Sequence, residues 1–99
     1  MIFNELDVKS LKEKLQSNTP PFVIDVREEY EFEDGSITDA NIPMSEILEK
    51  AQSLSIHLEI VLCCETGKRS KVTAFHLDKR LEKCRVYSLR GGLQAFKNS

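Results

Sequence analysis

Residues Ile60-Val61-Leu62-Cys63 form an unbroken apolar run. A run of this kind suits a strand covered on both faces, as central strands of parallel sheets are. It ends at Cys64 and opens into a short, cationic, glycine-bearing segment, Glu65-Thr66-Gly67-Lys68-Arg69-Ser70. Beyond Arg69, Val72, Phe75, Leu77 and Leu81 recur at roughly helical spacing, so the loop closes at a helix N-terminus. Strands therefore alternate with helices, which favours a parallel sheet wrapped by helices on both faces.

The remaining elements follow from local signals. Asp7 can cap a first helix carrying Val8, Leu11 and Leu15, which ends near Ser17-Asn18-Thr19. Pro20 and Pro21 punctuate the entry to a buried strand over Phe22–Val26. A brief acidic helix spans about Glu28 to Glu33, and Asp34-Gly35 turns the chain. Ile42 sits in a short strand, and Pro43 precedes a helix with Ile47, Leu48 and Ala51 on its inner face. The length of 99 residues gives one domain, 1–99.

Composition excludes several classes. With 40% apolar and 30% charged residues, no long apolar span and no cationic leader before an apolar stretch, membrane and secreted readings are disfavoured. Three cysteines without regular spacing argue against a disulfide framework and for a reducing, cytoplasmic compartment. Adjacent Cys63-Cys64 is no zinc pair, and His57 and His76 fall in no metal pattern, so no metal is expected. Cys63 and Cys84 read as core cysteines, and the two histidines as structural or solvent-facing.

Cys64 is the candidate nucleophile. Free amides and the positive dipole end of the following helix face it, and Lys68 and Arg69 are close in sequence, so its thiolate is favoured over that of a free cysteine. Gly67 permits the turn, and the same amides can cradle an anionic group. The competing reading is a buried strand-end cysteine beside an ordinary turn. Arg69 offers a planar fork for an oxyanion and Lys68 a looser charge, while Ser70 either caps the helix or donates to the loop. Glu65 would repel small anions unless it points away. Asp25 and Arg27, at a neighbouring strand end, either brace the loop or form an ordinary buried ion pair.

Charge is uneven along the chain. Residues 1–67 carry a net charge of -9 and residues 68–99 a net charge of +7. Folding yields either a positive face around Cys64 or, if Glu28, Glu29, Glu31 and Glu33 meet Lys79, Arg80, Lys83 and Arg85, a mixed surface.

Several segments together carry a family resemblance. Cys64-Glu65-Thr66-Gly67-Lys68-Arg69-Ser70 resembles the active-site loop of rhodanese-like sulfurtransferases. Phe22-Val23-Ile24-Asp25-Val26-Arg27-Glu28-Glu29-Tyr30-Glu31-Phe32 resembles the family strand ending in Asp-x-Arg before an acidic, aromatic helix. Gly35-Ser36-Ile37 through Ala40-Asn41-Ile42-Pro43 resembles its Gly-His-Ile and Ala-x-x-Ile-Pro segment, and Val86 to Leu93 its closing strand and Gly-Gly turn. The match runs from about Leu6 to Phe96. Ser36 replaces the usual histidine and Phe96 the common tryptophan.

The resemblance implies a three-layer α/β fold with a central parallel sheet of about five short strands. It implies a sulfurtransferase that carries sulfane sulfur as a persulfide on Cys64 with no metal or organic cofactor. Glu65, Thr66, Gly67, Lys68, Arg69 and Ser70 would then form the substrate loop. A six-residue loop from Cys64 to Arg69 is the length associated with sulfur transfer, whereas related phosphatases carry seven. The implied donors are a small anionic compound such as thiosulfate or a protein persulfide of the cysteine desulfurase kind, which Glu65 suits better. The acceptors are a thiol, cyanide or a sulfur-carrier protein; no nucleic acid or membrane partner is implied. A free-standing protein and the module fused to adenylating enzymes of molybdopterin or thiamin synthesis would look alike. The alternative is a non-catalytic interaction module or a thiol redox sensor.

Overall fold

A computed structural model describes residues 4–99; the first three residues of the expected 1–99 unit lie outside the described residues. Its sheet has four strands, β1 (Glu5–Leu6), β2 (Phe22–Asp25), β3 (Glu59–Cys63) and β4 (Arg85–Leu89), all parallel and ordered β1-β4-β3-β2. The apolar run is central, between β4 and β2, as its lack of polar alternation requires. Ile60 and Leu62 enter one core with Ile24, Val26 and Val86, whereas Val61 and Cys63 enter the other with Val23 and Leu89. Alternate side chains thus leave opposite faces of the sheet.

Helices cover both faces, giving the three layers. On one face α3 (Met44–Ile47), a 3-10 turn (Leu48–Lys50), α4 (Ala51–Leu54) and α5 (Lys68–Arg80) supply Ile47, Ala51, Leu54, Ala74 and Leu77. On the other, α1 (Val8–Leu15) and α6 (Gly92–Lys97) supply Val8, Leu11 and Leu93, with Phe96 packed at the margin. α2 (Glu29–Glu33) buries no side chain and lies beside the loop. Among the described residues no helix is long and apolar enough to cross a membrane.

Four details differ from the sequence reading. The expected fifth strand shrinks to one bridge, Asp25 to Asn41, because the Arg27 amide that would continue the ladder turns to Asp25 Oδ1 at 2.9 Å and Met44 donates to the Val26 carbonyl, one residue out of register. The two-residue β1 was missed, being too short to show a period. The helix after Pro43 breaks into three short turns, which rotate Ile47, Ala51 and Leu54 inward in succession and leave Leu48 only partly buried. On α5 the inward face is Ser70, Thr73, Ala74 and Leu77; Val72 is exposed. Asp7 caps α1 as expected, its Oδ1 accepting from the Ser10 amide at 2.8 Å.

Candidate active site

Three strand ends meet at the carboxyl edge of the sheet. The register sets Asp25 beside Cys63 and Leu62 beside Ser88, so Cys64 emerges between β2 and β4. This is where ligands bind in open parallel sheets.

The loop turns back around the sulfur. Gly67 has φ +94°, a conformation that costs a side chain about 1 kcal/mol or more, and it is the N-cap of α5. Its amide donates to Cys64 Sγ at 3.1 Å, the Ser70 amide donates at 3.3 Å, and Ser70 Oγ lies at 3.5 Å. Three groups able to donate therefore converge on one sulfur, an arrangement that suits negative charge there. Cys64 is only 1% exposed. The loop closes around this one sulfur atom. A cleft of about 680 Å³ lies between Lys14, Pro20, Phe22, His57 and Glu59, remote from the nucleophile.

The loop rests on the turn before α6. The amides of Leu93 and Gln94 donate to the carbonyls of Cys64 and Glu65 at 2.8 and 3.0 Å. A Cβ on Gly92 would run into both of those oxygens, Glu65 O at 2.5 Å. Gly92 is thus what lets the two backbones touch.

Asp25 and Arg27 form a buried bracket. Arg27 Nε lies 3.1 Å from both Asp25 oxygens, and Nη2 donates to Oδ2 at 2.9 Å and to the Gly35 carbonyl at 2.7 Å. The hydrogen bonds that the guanidinium donates to Asp25, opposed by burial, raise its pKa further. Nη1 reaches Glu65 Oε2 at 3.4 Å, so the bracket holds the loop through that side chain. Ser36, at the position where the resemblance leads one to expect histidine, donates to Asp25 Oδ2 at 2.8 Å. Asn41 Nδ2 ties down the carbonyls of Asp25 and Arg27 at 2.9 and 3.0 Å.

Arg69 differs from expectation in its partner. Its fork is closed on Glu31 of α2, with Nη1 to Oε1 and Nη2 to Oε2 both at 2.8 Å. The guanidinium pulls the Glu31 carboxyl down to about 2, against the opposing effect of burial. Of the acidic helix, it is Glu31 that meets the basic segment, and at Arg69 rather than at the distal lysines. Thr66 and Lys68 are exposed on the rim.

Ser70 has a further partner absent from the sequence reading. Its Oγ lies 2.7 Å from Ser88 Oγ, and both side chains are fully buried. The clue in the sequence is a serine at an inward position of an otherwise apolar strand. Cys63, one residue from the nucleophile, faces the opposite core, where burial pushes its thiol far above the ordinary range.

A thiol held by loop amides at the carboxyl edge of a parallel three-layer α/β domain defines the class. The family model described as "Rhodanese-like domain" matches residues 7–99, and the chain belongs to this family. A sulfurtransferase of Allochromatium vinosum is 31% identical over 94 residues, covering 94% of this chain and 87% of that one. "Adenylyltransferase and sulfurtransferase MOCS3" of Drosophila ananassae is 33% identical over 99 residues, covering 92% of this chain but 22% of that protein. A crystal structure of a rhodanese-related protein from Thermoplasma volcanium superimposes with a TM-score of 0.82 at 28% identity, covering 97% and 92% of the two chains.

Proposed function

We propose that the protein transfers sulfane sulfur through a persulfide on Cys64. The observation that carries this is the convergence of the Gly67 and Ser70 amides on Cys64 Sγ in a six-residue loop. The thiolate attacks the outer sulfur of a donor, a Cys64 sulfur–sulfur bond forms, and the donor's own bond to that sulfur breaks. The leaving group departs with the electron pair, as sulfite from thiosulfate or as a thiolate from a persulfide. An acceptor nucleophile then takes the outer sulfur and returns the Cys64 thiolate. The loop amides serve both anions, since the charge stays beside them throughout.

Asp25, Arg27 and Ser36 keep the loop in register, and the exposed Thr66 and Lys68 form the approach. Donors are thiosulfate or a protein persulfide; acceptors are a thiol, cyanide or a sulfur-carrier protein. The likeness to MOCS3, a protein named for sulfur transfer as well as adenylyl transfer, supports sulfur transfer, and the match spans 22% of that protein. The test is thiocyanate release from thiosulfate and cyanide, with a desulfurase persulfide as second donor. Wild type should turn over with at least one donor and Cys64→Ser with neither; equal rates in both would contradict the reading.

A further inference from the structure

Two guanidinium groups flank the loop that holds the nucleophile, and the protein's own carboxylates engage both. Arg27 is taken up by Asp25, the Gly35 carbonyl and Glu65. Arg69 has the planar fork that fits a pair of oxygens, and Glu31 already fills it with two contacts of 2.8 Å. Glu31 is itself anchored, because its Oε1 also accepts from the Glu28 amide at 3.2 Å at the start of α2. Arg69 directly precedes Ser70, whose amide donates to Cys64 Sγ at 3.3 Å, so the pair borders the loop that holds the reacting atom. The side chains are 37% and 22% exposed, which leaves a small anion able to reach the pair and compete for it.

We propose that Glu31 is the donor-specificity residue, an internal carboxylate seated where the sulfonate oxygens of a small donor would bind, so that the site favours persulfides over thiosulfate. This rests on the Cys64 persulfide reading above. Thiosulfate has to displace a bidentate, helix-anchored carboxylate and then sit with two charges near Glu31 and Glu65. A persulfide R-S-SH has no such oxygens. Its outer sulfur bonds to the Cys64 thiolate, the inner sulfur–sulfur bond breaks, and R-S⁻ leaves with the electron pair. Glu31 acts only through Arg69, which makes it a positioning residue.

The test compares the rate at which Cys64 gains one sulfur from thiosulfate and from cysteine persulfide, followed by intact mass with Cys64→Ser as blank. Glu31→Gln keeps an oxygen for the Glu28 amide and removes the charge. Wild type should load faster from the persulfide. In Glu31→Gln the thiosulfate rate relative to the persulfide rate should rise about tenfold, the scale of one charge-assisted pair, and the rise should vanish in Glu31→Gln/Arg69→Ala. A parallel change in both rates, as a merely structural Glu31 would give, overturns the proposal, and so does an unchanged ratio. Loading of wild type by neither donor would instead defeat the underlying Cys64 reading.

Discussion

At Cys64 the environment is set by very few atoms. Ser70 carries one hydroxyl proton and has three neighbours able to accept it, Cys64 Sγ, the Gly67 carbonyl and Ser88 Oγ. When Ser88 donates to Ser70, that proton is left to be shared between the Gly67 carbonyl and a Cys64 thiolate. Ser88→Ala should therefore slow alkylation of Cys64 by iodoacetamide at fixed pH and lower stability in urea by about 1 kcal/mol; an unchanged alkylation rate would remove Ser88 from the site. Asp25→Ala leaves the Arg27 charge buried without its main partner, and should cost about 3–5 kcal/mol by chemical denaturation. What the sequence shows at this scale is what is local. Cys64, Gly67 and Ser70 lie on one turn, and Asp25 and Arg27 are two residues apart. Glu31 and Ser88 stand 38 and 18 positions from their partners, and no short-range pattern links them.

At the scale of elements, the loop depends on the Gly-Gly turn as much as on β3 and α5. Gly92 has φ +64° and Gly35 φ +124°, so both resist a side chain, yet space is lacking only at Gly92. Gly35→Ala should cost about 1–2 kcal/mol of backbone strain and leave Cys64 chemistry nearly intact. Gly92→Ala should cost more, by thermal melting, and should slow sulfur loading at least tenfold because the new Cβ pushes on the Cys64 and Glu65 carbonyls. Strands β2 and β3 were legible because apolar runs and flanking turn residues mark them, whereas β4 was expected only through the family resemblance. The inner face of α5 was not, since small polar residues, Ser70 and Thr73, occupy it beneath the loop and the larger Val72 faces solvent.

Over the whole molecule, folding joins an acidic first part to a basic last part. The Glu31–Arg69 pair and the looser Glu5–Arg90 pair, at 4.0 Å, both bridge the two. The unequal charge was plain in the sequence, but which acid would meet which base depended on how α2 is laid against the loop. The Glu31 carboxyl is depressed from 4.5 to about 2 in the folded protein, so its contribution to stability is complete above 4.5 and is lost as pH falls toward 2. For a pair this exposed the contribution is no more than about 1 kcal/mol. Urea titrations between pH 7 and pH 2.5 should show Glu31→Gln with a shallower acid loss than wild type; identical slopes would mean the pair adds nothing to folding.

The central claim is that Cys64 carries the transferred sulfur, and intact-protein mass tests it most directly. Incubation with cysteine persulfide, removal of excess donor and peptide mapping should show a gain of one sulfur on the peptide holding Cys64. Cyanide should remove it as thiocyanate, and Cys64→Ser should show no gain. An unchanged mass in wild type, or a sulfur found on Cys84 and retained in Cys64→Ser, would contradict the account.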